Sequence, residues 1–363
     1  MSEMRHNWTK EEILALYHKP LMELLYEAAT VHRLHHDPNT VQVSTLLSIK
    51  TGGCPEDCGY CPQAARYHTD IEGNELMSVQ QVKAQALRAK AAGSSRVCMG
   101  AAWRNVKDGA EFDTVLEMVR TINKLNMEVC CTLGMITENQ AKRLAEAGLY
   151  AYNHNLDTSE EYYREVISTR GYEDRLKTIE NVRKTNVTVC SGGIIGMGEK
   201  VEDRAGMLVS LSTLDPHPES VPVNALVAVE GTPMENEKPV EIWEMIRMVA
   251  TTRIVMPETQ VRLSAGRTQM SREGQALCFF AGANSIFAGD KLLTTPNPDV
   301  NEDMEMFKAL GLTPQPPFVK KAKPETVEAK ASQYQSIGEK PRWSRPGHTI
   351  ERNEDARKKA KTL

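Results

Sequence analysis

The feature that most constrains the fold is a repeated alternation, from about residue 42 onward, of short apolar segments with amphipathic segments of helical periodicity. Short apolar runs bounded by turn residues are typical of buried strands, whereas a 3.6-residue apolar period is typical of helices packed on a sheet. Eight strands are predicted in the chain of 363 residues. They cover residues 43–51, 96–102, 128–134, 150–156, 187–196, 220–229, 260–266 and 284–289.

Helix-start signals lie before and between these strands. A Ser or Thr followed three residues later by Glu or Gln has the spacing of a capping box. The first such signal opens an N-terminal helical segment that is predicted to run through Leu25, and residues 241–255 form a long amphipathic stretch that Pro257 ends. The predicted starts are Thr9, Ser78, Thr114 and Thr137.

Eight strands, each followed by helical sequence in a unit of about 250 residues, favour an α/β fold of the closed (β/α)8 TIM-barrel type. An open, doubly wound sheet is the alternative, and the number of strands favours the barrel. We therefore expect three parts: an N-terminal helical segment at residues 1–40, the barrel at 41–318, and a C-terminal tail at 319–363.

The predicted tail differs in composition from the rest of the chain. It has 12 Lys and Arg against six Asp and Glu, while the whole chain has a net charge of −4. Its polar sequence, with three prolines and little periodicity, predicts a flexible solvated extension. Docking onto an acidic partner, or onto the acidic surface of the barrel, is the alternative.

Several broad functional classes are excluded by composition. A net charge of −4 gives no electrostatic reason for nucleic acid as the main partner. No apolar run approaches the roughly 18 residues of a membrane span, and the first residues resemble neither a secretory signal nor a transit peptide. The eight cysteines are scattered, which favours a cytoplasmic protein with metal or redox roles over a disulfide framework.

The most specific local motif is the triplet Cys54, Cys58 and Cys61, which follows the first predicted strand. In a barrel this position lies at the C-terminal face, where active sites are found. Three thiolates bind soft metals or iron–sulfur clusters, whereas a structural zinc ion requires four ligands, and the nearest fourth candidate is His68. We therefore favour a 4Fe–4S cluster, in which one iron atom without a protein ligand can chelate a small molecule.

The triplet, with the aromatic Tyr60 before its last cysteine, resembles the cluster loop of the radical S-adenosylmethionine (SAM) superfamily. Over about residues 40–315 the chain resembles the biotin synthase family more specifically. The segments that carry this resemblance are SIKTGGCPEDCGYCPQ, RVCMGAAWR, YNHNLDTS, VCSGGIIGMGE, ESVPVNALV, VRLSAGR and AGANSIFAGDKLLTTPNP.

The resemblance implies a sulfurtransferase that inserts sulfur into dethiobiotin in the last step of biotin biosynthesis. The C–H bonds concerned are too inert for acid–base chemistry, so a cofactor must supply the reactivity. In this family a 4Fe–4S cluster cleaves SAM to a radical that abstracts hydrogen, and a 2Fe–2S cluster donates the sulfur atom. The resemblance further implies a flavodoxin- or ferredoxin-type electron donor and a homodimer.

A second cluster inside the barrel requires ligands on strands. The resemblance assigns this role to Cys98, Cys130, Cys190 and Arg262, which lie on the second, third, fifth and seventh predicted strands. A lone strand cysteine is ordinarily a small buried apolar residue, but three of them with a strand arginine are harder to explain as packing. Because a protonated guanidinium has no free lone pair, Arg262 can also be a charged hydrogen-bond donor to sulfide, and both roles stay open.

Adjacent residues of a strand point to opposite faces, so Cys130 and Cys131 cannot both face the barrel interior. The family motif aligns with Cys130. We therefore expect Cys131 to pack outward against a helix, and we expect Cys278, in a helical run, to belong to the core.

Two further motifs offer contacts for small molecules. The polar cluster at the end of the fourth strand suits a polar ligand, because such side chains are poorly satisfied in a core. The glycine-rich segment 192–199 lacks the third glycine of a dinucleotide fingerprint and instead resembles the G-x-I-x-G-x-x-E pattern of the radical SAM superfamily, from Gly192 to Glu199. An ordinary strand-to-helix turn is the alternative. The resemblance implies SAM contacts from Tyr60, Asn155, Asp157 and Ile194, and dethiobiotin contacts from Asn153, Asn155 and Asn224.

His154 is expected to face away from these ligands and to make a structural hydrogen bond, and His217 is expected in a loop. Three rival functions remain open from the sequence. Another radical SAM barrel of the hydrogenase-maturation or methylornithine type would keep the triplet but need not keep the four strand ligands together. An iron–sulfur redox sensor or electron carrier would need no SAM contacts, and a structural zinc protein is the least favoured.

Overall fold

Parallel strand pairing closes the central sheet into a barrel. The computed structural model describes residues 4–289 and 291–318, and the predicted tail at 319–363 lies outside the described residues. The strands are β1 Thr40–Lys50, β2 Arg96–Ala101, β3 Glu128–Thr132, β4 Ala151–Asn153, β5 Thr188–Cys190, β6 Gly193–Ile195, β7 Ser220–Ala225, β8 Gln260–Leu263, β9 Ser285–Phe287 and β10 Thr313–Pro314.

The barrel has eight positions, because β5 and β6 lie end to end in one of them. Each strand pairs in parallel with its neighbours around the ring, and β9 closes the ring by pairing with β1. The short β10 pairs with the start of β1 and extends this edge. The predicted (β/α)8 barrel is therefore confirmed, and the open doubly wound sheet is not the fold.

The helices follow the strands and cover the outside of the barrel. Their apolar faces, with the outward side chains of the strands, form one large buried core. They are α1 Lys10–Tyr17, α2 Leu21–His35, α3 Val79–Ala91, α4 Ala110–Asn123, α5 Glu138–Glu146, α6 Tyr163–Val166, α7 Tyr172–Arg183, α8 Val201–Ser212, α9 Ile242–Val255, α10 Arg272–Phe280 and α11 Val300–Leu310.

Several predicted bounds differ from the structure. The strands predicted at 150–156 and 220–229 end earlier, at Asn153 and Ala225, and three other differences have a local physical reason. The N-terminal helical segment is broken at Pro20, which precedes α2, so it forms two helices. The helix predicted from Thr114 begins at residue 110, because Gly109 is its N-cap and the Thr114 hydroxyl bonds the carbonyl of Ala110 inside the helix. The strand predicted at 187–196 is divided at Gly192, where a Cβ atom would lie 2.1 Å from the Pro222 carbonyl oxygen.

The two N-terminal helices contact the helices of the barrel. Tyr17 at the end of α1 donates a hydrogen bond of 2.9 Å to Glu244 of α9, and Arg204 of α8 donates one of 2.9 Å to the Tyr17 hydroxyl. Arg247 of α9 donates to the carbonyl of Tyr17, which fixes the turn before α2. These contacts place both helices on the outer layer of the barrel.

A buried ionic cluster closes the N-terminal end of the barrel. Arg96, the first residue of β2, is fully buried and donates hydrogen bonds to Glu128 at 2.7 Å and to Glu219 at 3.2 Å. Its guanidinium lies 4.9 Å from the ring centroid of Tyr150, and the backbone N–H of Phe318 donates to Glu128 at 2.7 Å. This cluster therefore closes the barrel interior on the N-terminal side of the strand cysteines.

We expect Arg96→Ala to lower the free energy of unfolding by about 3–5 kcal/mol, because it leaves the buried Glu128 and the partly buried Glu219 without their cation. Urea denaturation followed by circular dichroism measures this change. The matched control is Arg120→Ala, which removes a half-exposed ion pair with Glu117 and should cost less than about 1 kcal/mol. Equal losses in the two variants would show that the buried cluster does not stabilise the barrel.

Candidate functional site

A cavity of about 310 Å³ opens at the C-terminal ends of the strands. The cysteine triplet lies on one side of it, and the strand residues lie deeper. The sequence-predicted site residues that line it are Cys54, Cys58, Tyr60, Cys61, Cys98, Cys130, Asn153, Asn155, Asp157, Ile194, Asn224 and Arg262. Cys190 is fully buried and does not line it, but Asn153 pairs with Cys190 in the register of β4 and β5.

The cysteine loop folds back on itself after β1. The N–H of Cys54 donates to the carbonyl of Gln63, and the N–H of Cys61 donates to the carbonyl of Cys58, each at 2.9 Å. Burial raises the pKa of Cys61 to about 11 and that of Cys58 to about 12. Thiolates in such a buried loop need a nearby positive charge, which a metal cluster supplies.

Asp57 ties the cysteine loop to the segment between α6 and α7. Its carboxylate accepts hydrogen bonds from the backbone N–H groups of Ser168, at 3.0 Å, and Thr169, at 3.1 Å, and from both hydroxyls. Burial alone would raise the pKa of Asp57, but these hydrogen bonds outweigh it and lower the pKa to about 2. The loop is therefore held by an ionised side chain that lies between two of its cysteines.

Deep in the barrel, Cys98 of β2 and Cys130 of β3 are partners in the parallel register. Both are buried in a small inner cluster with Phe287 and Leu292. A hydrogen bond from the Cys130 thiol lowers the pKa of Cys98 to about 7 and raises the pKa of Cys130. The thiolate of Cys98 therefore forms more readily than that of an isolated cysteine, which suits a site for a soft metal.

Arg262 of β8 faces the same interior. It is 1% exposed, its Nε donates to the Ser285 hydroxyl at 2.8 Å, and its Nη2 donates to Gln42 at 2.9 Å. Within residues 4–289 and 291–318 no carboxylate lies within ion-pair distance of it, and its guanidinium carbon lies 4.6 Å from the Phe287 ring centroid. Burial raises the pKa of Cys190, and the positive charge of Arg262 opposes this effect at both Cys190 and Cys98.

Cys131 packs in the outer core and not in the inner cluster, as strand alternation predicted. Its pKa is raised by burial, which is the behaviour of a packed thiol. Cys278 is likewise buried in the outer core, in α10, as expected.

The polar segment after β4 lines the cavity. Asn153 donates to the Thr132 hydroxyl at 3.0 Å, while its Oδ1 is buried without a hydrogen-bond partner. Asp157 has a positive φ of 69° and is almost fully buried. Its carboxylate accepts hydrogen bonds from the Tyr60 hydroxyl at 3.0 Å and from Arg175, so this carboxylate is already compensated by a cation.

The structure corrects the expectation for His154 and shows backbone contacts of Asn224. His154 lines the cavity and makes no side-chain hydrogen bond among the described residues, because strand alternation does not extend beyond the end of β4 at Asn153. Burial lowers the pKa of His154, so its ring is neutral. Asn224 donates to the carbonyl of Gly193 at 2.9 Å and accepts from Ala265 at 3.1 Å, so both ends of its amide already bind backbone.

The glycine-rich segment turns the chain from β6 to α8. Glu199 accepts hydrogen bonds from the backbone N–H groups of Gly196, at 2.9 Å, and Met197, at 2.7 Å. Ile194, on β6, pairs with Asn224 of β7 and lines the cavity. His217 lies in the loop before β7, as expected, and its Nε2 contacts the carbonyl of Ser212 at 3.0 Å.

Several cavity residues were not singled out from the sequence. Glu56 lies inside the cysteine motif, and Phe287, Leu292 and Leu293 lie in the last segment of the family resemblance. Thr132, Arg170 and Arg175 lie outside the segments that carry the resemblance. Their burial could not be foreseen, because nothing in the sequence distinguishes a cavity arginine from a surface arginine. These residues are Glu56, Thr132, Arg170, Arg175, Phe287, Leu292 and Leu293.

The donor set fits soft-metal chemistry and a polar organic ligand. Unpartnered buried polar atoms face the cavity at Glu56, Asn153, His154 and Arg170, and such atoms cost free energy until a ligand satisfies them. In the part of the chain that the structure describes, no three His, Cys, Asp or Glu side chains are grouped to hold a single metal ion.

No described helix has the length and apolarity to span a membrane.

Asp57→Ala should loosen the cysteine loop, because it removes the hydrogen bonds from Ser168 and Thr169. Hydrogen bonds to a charged group contribute about 1.5–3 kcal/mol, so the population of open loop should rise about 10–150-fold. The rate of alkylation of Cys54 and Cys61 in metal-free protein, read by mass spectrometry, measures this opening. Glu72→Ala, at an exposed carboxylate, is the control, and a similar rate in both variants would contradict the role of Asp57.

Comparison with known proteins agrees with this geometry. Residues 48–211 match the radical SAM superfamily, and residues 222–313 match the biotin and thiamin synthesis associated domain. The chain is 85% identical to a biotin synthase of Flavobacterium psychrophilum, over 97% of this chain and 98% of that protein. It is 83% identical to a biotin synthase of Christiangramia forsetii, over 99% of both chains.

Two solved structures share the fold at low sequence identity. A methylornithine synthase has a TM-score of 0.72 at 19% identity, and covers 85% of this chain and 94% of its own. A maturase of the FeFe-hydrogenase has a TM-score of 0.72 at 18% identity, and covers 85% of this chain and 72% of its own. On sequence identity with its curated relatives, the chain belongs to the biotin synthase family of radical SAM enzymes, which implies a 4Fe–4S cluster and SAM as cofactors.

Proposed function

We propose that this enzyme inserts sulfur into dethiobiotin to form biotin. The observation that carries the proposal is the presence of two separate cysteine sets on one cavity, one in a loop at its mouth and one on strands at its base. A redox carrier needs no such cavity, and its 310 Å³ lies in the range of small-molecule sites.

Cys54, Cys58 and Cys61 would hold the 4Fe–4S cluster, and Cys98, Cys130 and Cys190 would hold a 2Fe–2S cluster with Arg262 beside them. When bound, the first cluster with SAM supplies a radical that abstracts hydrogen from unactivated C–H bonds, and the second supplies the sulfur atom. The protein contributes the placement: Leu292 and Phe287 cover Cys98 and Cys130, which keeps water away from the inner site.

The substrate contacts follow from the chemistry of a cyclic urea, which offers two N–H donors and one carbonyl acceptor. The unpartnered Oδ1 of Asn153 suits one of these N–H groups. Asn155 lines the same wall, and its Oδ1 accepts from Gly192 at 3.2 Å, so its Nδ2 is the group that remains for a carbonyl. Asn224 contributes chiefly by bracing Gly193 and Ala265, and it reaches a ligand only through its second amide proton or lone pair.

The SAM contacts lie nearer the cysteine loop. Asp157, Asn155 and Ile194 line this part of the cavity, and Tyr60 links the loop to Asp157. A carboxylate accepts hydrogen bonds from both hydroxyls of a ribose, and Ile194 offers an apolar surface for a base. Arg175 forms an ion pair with the Asp157 carboxylate and fixes its orientation, so the ribose meets a preorganised acceptor.

The wider assignments of the family complete the proposal. A flavodoxin- or ferredoxin-type protein donates the electron, the enzyme is a homodimer, and it works in the cytoplasm. The chain divides into the N-terminal helical segment at 1–40, the barrel at 41–318 and the tail at 319–363. The support for these assignments is the 83–85% identity to curated biotin synthases.

Cys190→Ala should abolish biotin formation, because Cys190 belongs to the inner set, while slow SAM cleavage persists. Cys54→Ala should remove SAM cleavage and leave the 2Fe–2S absorption in place. Chromatography of the products and visible spectra after anaerobic reconstitution measure both results. Cys131→Ala is the control and should be nearly silent, because Cys131 packs in the outer core.

If both cluster spectra disappear together in a folded Cys54→Ala protein, the two-site assignment is wrong. If Cys131→Ala abolishes activity and Cys130→Ala does not, the ligand assignment is displaced by one residue along β3.

Arg262→Lys and Arg262→Met should both retain the 2Fe–2S absorption, because a protonated guanidinium is a poor metal ligand. Arg262→Lys keeps the charge, and Arg262→Met removes it with little change in bulk. Anaerobic reconstitution with iron and sulfide, followed by absorption spectra, measures cluster content. Loss of the spectrum in both variants would show that Arg262 is an obligatory ligand.

A further inference from the structure

The barrel interior on the N-terminal side of the inner cysteines is polar. In barrels of this type the interior is usually filled by bulky branched apolar side chains. Here Arg96 and Glu128 lie two residues before Cys98 and Cys130, and residues two apart on a strand share a face. The polar side chains at this level come from five strands and are those of Gln42, Ser44, Arg96, Glu128, Ser220, Gln260 and Ser285.

Several polar atoms of this lining have no hydrogen-bond partner among the described residues. Arg96 and Ser220 are fully buried, and Ser220 is the register partner of Cys190. The side chain of Glu219 is 16% exposed, so the polar lining continues from the level of the inner cysteines to the surface. Buried polar atoms of this kind are satisfied by water, which an apolar layer would exclude. The atoms concerned are Arg96 Nη1, Glu219 Oε2, Ser220 Oγ and Gln260 Oε1.

Residues 313–318, here called the C-terminal strap, cross this end of the barrel. At one end β10 pairs with the first residues of β1, and the N–H of Gln315 donates to the carbonyl of Val41 at 2.8 Å. At the other end the N–H of Phe318 donates to Glu128, the first residue of β3. Because β2 lies between β1 and β3 in the ring, the strap passes the start of β2.

The strap is held less firmly at β3 than at β1. Phe318 is 41% exposed, and its ring meets the Tyr150 ring edge-on with centroids 6.0 Å apart. Its φ of 56° is one that bulky L-residues rarely adopt. A backbone hydrogen bond and a ring contact thus hold Phe318 against an unfavourable conformation, whereas strand pairing holds the β1 end. Release at Phe318 would uncover the polar lining while the strap stays attached to β1.

The opposite approach to the inner cysteines is less suited to small ions. Phe287 and Leu292 cover Cys98 and Cys130 on the cavity side, and an ion that passes an apolar cover loses its hydration. In the proposed function the mouth of this cavity also holds the first cluster, SAM and dethiobiotin. An ion that enters from the N-terminal end meets polar and charged side chains instead.

We infer that the N-terminal end of the barrel is a second entrance to the inner site, closed by the C-terminal strap, and that it admits the iron and sulfide ions that restore the inner cluster. The inference rests on the proposed function, in which that cluster supplies a sulfur atom to the product. Arg96 attracts a sulfide anion, and the carboxylates of Glu128 and Glu219 attract a ferrous ion. Because this entrance lies opposite the mouth, the inner cluster is restored without removal of the first.

The test follows iron leaving each cluster by the same route. Full-length protein is loaded anaerobically with Mössbauer-active iron and challenged with excess EDTA, and spectra of frozen samples distinguish the 2Fe–2S from the 4Fe–4S cluster. Phe318→Pro removes the N–H that binds Glu128, and proline cannot adopt a φ of 56°. Since a hydrogen bond to a charged group is lost, iron should leave the 2Fe–2S cluster about 10–150-fold faster. The rate for the 4Fe–4S cluster should not change.

Three further variants locate the route. Ser220→Val replaces a hydroxyl of the lining with a methyl group of similar size and should slow the loss of the 2Fe–2S cluster. Leu292→Ala thins the apolar cover on the cavity side and should leave the rate unchanged. Phe318→Ala keeps the backbone N–H and should give a smaller increase than Phe318→Pro, and it serves as the test if Phe318→Pro does not load its clusters. Its matched control is Leu310→Ala, at an equally exposed apolar residue of α11, which should have no effect.

Equal acceleration for both clusters in the Phe318 variants would overturn the inference, because it would reveal only a loss of stability. An unchanged rate for the 2Fe–2S cluster would overturn it as well, and faster loss in Leu292→Ala alone would place the route at the mouth. Absence of a 2Fe–2S spectrum from the unaltered, reconstituted protein would contradict the proposed function itself, and this outcome is distinguishable from the others.

Discussion

The in-register parallel pairing of β2 with β3 is the constraint on which the inner site depends. This register sets Cys98 opposite Cys130, and the alternation of side chains then sends Cys131 to the outer core. It also sets Arg96 opposite Glu128 two residues earlier, on the same inward face. A shift of β3 by one residue would turn Cys130 and Glu128 to the outer face, so the inner pair of thiols and the ion pair both derive from this one register.

The barrel itself was predictable because each strand and most helices carry local signals. The capping boxes at Thr9, Ser78 and Thr137 form as expected. Local signals failed where a helix begins at a glycine, as at Gly109, or where a tertiary contact divides a strand, as at Gly192 against Pro222. In both places a contact or conformation outside the local pattern determines the boundary.

Motifs located the cysteines, but they did not indicate which polar groups were already occupied. Asn224 carries the right chemistry for a urea, yet its amide is bound to backbone on both sides. Asp157 suits a ribose, yet it is first the partner of Arg175. Arg170 belongs to no motif, yet it lines the cavity with an Nε that has no hydrogen-bond partner among the described residues. Such a property depends on distant segments and cannot be deduced from the sequence of any one of them.

The link between Asp57 and Ser168–Thr169 has a consequence for the order of assembly. The cysteine loop lies after the first strand, but its anchor lies after the fourth, 111 residues further along the chain. During synthesis the three thiols therefore emerge long before the segment that fixes their loop. A cluster inserted early would bind to a loop that is held only by its own backbone hydrogen bonds. Insertion of the cluster is therefore favoured after half of the barrel has formed.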